Sequence, residues 1–279
     1  MTAGRQVVDP ARDLAADYSR RAAAYARYWA PVIHPMAHPL LSAMPLADAK
    51  TILDVGTGTG ALWPLIQAAA PGARLWGVDG AEGMLRAGDA ALRGRVAVMD
   101  AQWLGIRPAR FDAALMLFVL FHVSDPDIAL RQVLDVLRPG GILGLVVWGH
   151  DPGLPGRDIW TEELDRAGAT PDPRDQSVMR HAWMDTPEKL TDLVERNRFA
   201  AERVWSGRFS HAFAVDELLA TQTQCGLPSR RLESLDADAR SECTGRVRAR
   251  IQRLAPAERE YRVEVIYAIA RKRERATAS

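Results

Sequence analysis

A chain of 279 residues, 48% hydrophobic and 25% charged with a net charge of +1, can bury a sizeable core as one α/β domain with insertions or a small cap. The near-neutral balance supplies no basic face for nucleic acid or an anionic membrane, so neither is expected as a partner. The longest apolar run, Ala113 to Phe121, is too short to cross a bilayer as a helix, and Cys225 and Cys243 show neither metal-ligand spacing nor a disulfide framework. With reduced thiols and no apolar signal region in MTAGRQVVDPARDLAADYSRR, the expected location is cytoplasmic.

In chain order, residues 1–46 read as an N-terminal helical cap carrying Tyr18, Tyr25, Tyr28 and Trp29. Within it, PVIHPMAHP reads as a loop near an entrance, because its prolines should break any helix. That same break argues against His34 and His38 as a metal pair. Residues 47–150 alternate short apolar runs with helical ones. TILDV, RLWGVD, RVAVMD, FDAALMLF and GILGLVVWG read as strands; ALWPLIQAAA and AEGMLRAGDAAL read as helices between the first three. Pro64 is awkward inside the first of these helices, which should begin late or bend there. Asp125 and Pro126 start a helix with Leu130, Val133, Leu134 and Leu137 on one face, and RPGG should end it. Strands alternating with helices imply crossover connections and a largely parallel sheet.

Residues 151–210 form a post-core segment with a short helix at Ile159 to Ala167, a helix capped at Thr186, and a strand at Arg203 to Phe209. Residues 211–258 read as a helical insertion suited to a lid. Residues 259–279 hold a final strand, alternating at Val263, Val265, Tyr267 and Ile269 as a half-buried strand should, and a basic tail. The tail reads as a solvated, frayed end.

The chemistry is concentrated at ILDVGTGTG, where a buried strand runs into three glycines before a helix, with Asp79 closing the next strand. Glycine lets the backbone approach a ligand, the helix N-terminus presents free N–H groups, and the acid accepts from ribose hydroxyls. This logic serves dinucleotides and adenosyl ligands alike. The spacing is G-x-G-x-G rather than the G-x-G-x-x-G of dinucleotide folds, and a second acid, Asp100, ends the third strand.

Five segments in order, DVGTGTG, VDGAEGML, MDAQWL, FDAALMLFVLFHVSD and VLRPGGIL, resemble class I S-adenosylmethionine (SAM) methyltransferases. The resemblance is to the small-molecule branch typified by the ubiquinone and menaquinone biosynthesis enzymes. It implies a Rossmann-like, seven-stranded, mostly parallel sheet with an antiparallel last strand, plus the helical N-terminal segment and lid insertions. It also implies SAM as cofactor and S-adenosylhomocysteine as product. Carried over, it implies that Gly56, Gly58 and Gly60 pass beside the methionine and ribose, and that Asp54 helps hold the amino group. Asp79 would take the ribose hydroxyls, with Gly80 and Met84 packing on the adenine. Asp100 and Ala101 would meet the ring's polar edge, and Leu117, Phe118 and His122 would lie beside the methyl. Tyr18, Tyr25 and Tyr28 would close the pocket.

Each assignment has a plainer counterpart. Asp54 could simply cap the turn, though the motif around it favours a ligand role, and His122 reads equally as a satisfied core group. The carboxylates of Asp79 and Asp100 end buried strands, where an acid without a partner is costly, and this favours a ligand. SAM carries its own activated methyl, so alignment does most of the work. His122 or His150 then serves as base where the acceptor must lose a proton. FHVSD after the fourth strand, in place of an Asn-Pro-Pro-Tyr-type motif, favours an oxygen or carbon nucleophile on a small molecule. Two other readings stay open: a SAM-fold protein that does not methylate, as a cyclase or binding subunit, and an NAD(P)-dependent oxidoreductase. The acceptor and the oligomeric state, a homodimer included, are not legible here.

Overall fold

The computed structural model describes residues 10–89, 92–150, 152–172 and 181–273. The first nine residues and the tail beyond 273 lie outside the described residues. Five runs rich in apolar and β-branched residues form the strands Thr51–Val55 (β1), Arg74–Asp79 (β2), Val96–Val98 (β3), Phe111–Leu117 (β4) and Leu137–Trp148 (β5). They pair in parallel in the order β3-β2-β1-β4-β5. Two later strands, Phe199–Ala212 (β6) and Glu260–Lys272 (β7), extend the sheet in the order β5-β7-β6, with β7 antiparallel to both neighbours. The architecture is therefore the expected Rossmann-like seven-stranded sheet with its last strand reversed.

The sheet is flanked by helices that the chain starts and stops with local signals. At the N-terminus Pro10–Ala24 (α1) and Ala30–Ala43 (α2) are joined by a π-helical turn at Tyr25–Trp29. The core crossovers are Trp63–Ala69 (α3), Glu82–Arg86 (α4) and Pro126–Val136 (α5), the last capped by the Asp125 carboxylate accepting from the Ile128 N–H at 3.0 Å. Then come Arg157–Arg166 (α6), Pro187–Arg196 (α7), Val215–Gln224 (α8), Leu227–Leu232 (α9) and Ala237–Ile251 (α10). Among the described residues no helix is long and apolar enough to cross a membrane.

Several expectations shift for physical reasons. Pro64 falls in the first turn of α3, where its missing N–H has no intrahelical partner to lose. Helix α4 stops at Arg86, and Gly88 just beyond it comes so close to Thr59 that an added Cβ would sit 2.7 Å from its carbonyl oxygen. RPGG is no interval between elements: β5 starts directly after α5, and the four residues form an irregularity in it, where the pairing jumps between Phe111 and Ala113. Strand β7 is an interior strand, fully buried from Val265 to Ala270 rather than half-buried, because α2 packs against it as well as α7.

The prolines of PVIHPMAHP do not make a loop; α2 runs through Pro35 and Pro39. Spaced four apart from Pro31, they confine the missing donors to one stripe, where Pro31 and Pro35 are exposed and the freed carbonyls face water. The opposite face buries Val32, Ile33, Met36, Ala37, Leu40 and Leu41, and Tyr267 on β7 donates its hydroxyl to the Met36 carbonyl at 2.7 Å. His34 and His38 therefore sit on a helix, with His38 hydrogen-bonded to Ser42 at 3.1 Å.

Candidate functional site

The carboxyl ends of β1, β2 and β4 open into a cavity of about 510 Å³. Gly56 and Gly58 line it at the turn after β1, both with left-handed backbone (φ 75° and 57°) that a side chain would strain. A Cβ on Gly58 would also press on Met84 Cε at 3.2 Å. Asp79 ends β2 at the cavity edge, its Oδ2 accepting the Gly58 N–H at 2.8 Å and its Oδ1 the Ala81 N–H at 2.7 Å. Burial raises its pKa, against these two backbone donors. Opposite, Gly80, Met84, Val98, Met99 and Ala101 form a mostly apolar bed beside Asp100, whose Oδ1 accepts the Gln102 N–H at 2.8 Å.

Not every residue expected here reaches the cavity. Asp54 points into the protein, accepting from Thr57 Oγ1 at 2.7 Å and Trp63 Nε1 at 3.1 Å. Burial pushes its pKa up to about 6, against those hydrogen bonds. Gly60 lies under Leu92, whose Cδ2 would be 2.4 Å from an added Cβ, so its role is packing and a positive φ of 69°. His150 is exposed, because the chain leaves β5 by pairing Gly149 and the His150 carbonyl with Glu264 of β7. Tyr28 lies beside the Arg27 guanidinium at 5.2 Å. Tyr25 and Trp29, four apart on the π-helical turn, are the side chains that face inward.

A second cavity of about 260 Å³ adjoins the first. Trp29, Phe121, Trp148 and Tyr261 wall it, with the Phe118 and Trp148 ring centroids 4.5 Å apart. Tyr18, Tyr25, Phe118 and His122 line both cavities. At this junction the Tyr18 hydroxyl and His122 Nε2 are hydrogen-bonded at 3.1 Å. Phe118 holds a positive φ of 59°, a backbone state costly for a bulky residue and concentrated at functional sites. Its N–H donates to the Val146 carbonyl at 2.9 Å, which fixes the bend that turns the chain out of β4 between the two spaces. Burial pushes the Tyr25 hydroxyl far above its ordinary pKa, so it stays protonated.

Sequence reasoning missed most of the second cavity. Asp17, Arg21 and Arg230 form a buried charge cluster on its wall, and Gln222 closes another side while accepting from Trp160 Nε1 at 2.6 Å. The aromatics of α1 and the following turn, with Phe118 and His122 after β4, were the signals pointing there; the partners from α8, α9 and β7 carry none at short range.

The first cavity fits an adenosyl group on the structure's own terms. A desolvated carboxylate with one backbone donor on each oxygen keeps lone pairs for a vicinal diol. The apolar bed between Met84 and Ala101 suits a flat ring with a polar edge. Comparison with known proteins agrees. A family profile described as a methyltransferase domain matches residues 53–145. The chain is 39% identical over 103 residues to a ubiquinone/menaquinone biosynthesis C-methyltransferase of Syntrophotalea carbinolica, a match spanning 35% of this chain and 44% of that one. It is 34% identical over 190 residues to an uncharacterized methyltransferase of Mycobacterium tuberculosis, across 63% of this chain and 75% of the relative. Among solved structures, the YcgJ protein of Bacillus subtilis superposes with a TM-score of 0.54 at 18% identity, over 87% of this chain and all of that one, which is a likeness of fold.

Proposed function

Because the chain belongs to the class I SAM-dependent methyltransferases, we propose that it transfers a methyl group to a small-molecule acceptor held in the aromatic cavity. The carrying observation is the shared wall. Tyr18, Tyr25, Phe118 and His122 line both spaces, so a ligand in the larger cavity and an acceptor in the smaller one meet there. Asp79 takes the ribose diol, Gly80, Met84 and Ala101 hold the adenine face, Asp100 its polar edge, and Gly56 and Gly58 leave room for the backbone beside it. SAM supplies a methyl on a sulfonium, electrophilic without help from the protein. The protein aligns and excludes water, an effect that reaches about 7–11 kcal/mol in favourable cases.

His122 is the group placed to receive an acceptor proton. Its Nε2 is engaged with Tyr18, so Tyr18 must yield that nitrogen as the acceptor arrives. His150, exposed beyond β5, has no such position. Residues 47–150 serve as the cofactor-binding core. The 211–258 insertion acts as the lid, supported by Thr221, Gln222 and Cys225 facing the smaller cavity from the end of α8.

The test is calorimetric titration with S-adenosylhomocysteine. The wild-type chain binds it, and Asp79→Ala weakens binding by about 100-fold, the size of charge-assisted hydrogen bonds to a diol. Failure to bind, an unchanged affinity in Asp79→Ala, or protection against heat by NAD(H) instead, defeats the reading.

A further inference from the structure

The smaller cavity is mostly apolar, yet its charged wall is not balanced. Arg21, Arg157 and Arg230 line it against one carboxylate, Asp17. Asp17 is committed to Arg21 at 2.9 Å and to Arg230, and Arg21 pairs in addition with Glu233. Arg157 differs. Among the described residues no carboxylate partners it, and no side-chain hydrogen bond engages its guanidinium. The guanidinium lies over Gly153, with Nη1 2.7 Å from where a Cβ would stand, so the missing side chain is what admits it to the cavity rim. Gly153 holds a positive φ of 86°, which also favours glycine there.

Arg157 and Gly153 line only the smaller cavity, whereas His122 and Phe118 line both. The space therefore has two chemically distinct ends. One is the junction, where a nucleophile would face the methyl. The other carries the Arg157 guanidinium, which has no anion among the described residues. Trp29, Phe121 and Trp148 line the same space and favour a flat unsaturated body. A volume of about 260 Å³ suits one or two rings rather than a long-tailed lipid.

We propose that the acceptor is a small aromatic or conjugated carboxylic acid, its ring among these aromatics, its nucleophile toward His122 and its carboxylate on Arg157. This rests on the methyl-transfer reading and names the substrate class for it. A planar guanidinium matches a carboxylate with two parallel donors.

The test uses matched pairs of acid and neutral amide with the same outline: 4-hydroxybenzoate and 4-hydroxybenzamide, 3-hydroxybenzoate and 3-hydroxybenzamide, 2-naphthoate and 2-naphthamide. Each is titrated calorimetrically at low salt into the full chain, with and without saturating S-adenosylhomocysteine. At least one acid should bind about tenfold more tightly than its amide, the size of one charge-assisted contact near water. Arg157→Gln should lower that acid to the affinity of its amide while leaving the amide and S-adenosylhomocysteine unchanged. Arg157 is exposed, so the replacement leaves folding intact. No acid exceeding its amide, or a preference that survives in Arg157→Gln, overturns the proposal. Loss of S-adenosylhomocysteine binding in the wild-type chain would instead strike the methyl-transfer reading, and the acid–amide comparison on the unliganded chain would still decide this one.

Discussion

Asp54 and Asp79 stand 25 residues apart in sequence and close two neighbouring parallel strands, yet their surroundings divide their work. Asp79 faces a cavity and holds backbone donors. Asp54 faces the core and holds Thr57 and Trp63. A carboxyl group pushed up to about 6 by burial binds its proton more tightly folded than unfolded. Its contribution to stability is complete below the unfolded value near ~3.9 and is lost as pH rises through about 6. The shift of about two units corresponds to roughly 3 kcal/mol. Asp54→Asn cannot titrate, so the free-energy gap between the wild-type chain and Asp54→Asn should move by about 3 kcal/mol in favour of the variant between about pH 4 and pH 7. Urea unfolding across that range measures it. A gap independent of pH would mean Asp54 ionises freely, with its charge compensated inside the fold.

At the scale of elements, the cofactor cavity depends on how closely α1 lies on α4. Gly83 donates its N–H to Ser19 Oγ at 3.1 Å, and a Cβ there would lie 2.4 Å from the Ser19 carbonyl oxygen. Those atoms are backbone and cannot rotate away, so Gly83→Ala must push the helices apart. Helix α1 carries Leu14, Ala15 and Tyr18 to the cavity wall. Gly83→Ala should therefore cost about 1–3 kcal/mol of stability by overpacking and also weaken S-adenosylhomocysteine binding. Thermal unfolding and calorimetry read the two effects separately, and a destabilised variant with unchanged affinity would show that α1 does not shape the site.

The same contact shows what sequence could and could not convey. The strands of the core were legible because each is a short apolar run punctuated by glycine, acid or proline, and a parallel βα unit is decided locally. The position of Asp79 at the end of β2 and of Gly56 and Gly58 in the turn after β1 was legible for the same reason, whereas Asp100 is exposed two residues beyond β3, a strand that is not buried, and Gly60 lies away from the cavity. Helix α2 was not, since three prolines outweigh any local preference and its buried face against β5 and β7 holds the helix instead. The smaller cavity was legible only at Tyr18, Tyr25, Phe118 and His122. It joins residues 17, 122, 222 and 261, and no local pattern records that meeting. Tyr28 was placed on the wrong side of its turn because a π-helical turn advances the side chains differently from an α-helix.

Over the whole molecule, the N-terminal helices and the helical segment 211–258 meet through Asp17. Its carboxylate, 7% exposed, meets Arg230 of α9, 8% exposed, and Arg21 on its own helix, while Arg21 also reaches the Gln224 carbonyl at 3.1 Å. Burial pushes the Asp17 carboxyl up, but Arg21 and Arg230 outweigh it and hold it below the ordinary aspartate range. Its stabilisation is therefore present above about pH 4 and is lost as pH falls further. Removing the acid takes the Asp17 pairing from Arg230, shielded from water, and leaves Arg21 to Glu233 alone; breaking a buried pair on one side typically costs about 3–5 kcal/mol. That loss falls on the seam between α1 and α9, whereas β1, β4 and β5 keep their own ladder and core. Asp17→Asn should consequently accelerate amide exchange in α1, α8 and α9 while the strand amides of the sheet keep their protection, a local opening below the global unfolding free energy. Because α1 walls both cavities, exchange in α1 should slow again when S-adenosylhomocysteine is added. Uniform acceleration across the sheet would show instead that cap, lid and core open as one unit, and that ligands enter without the seam parting.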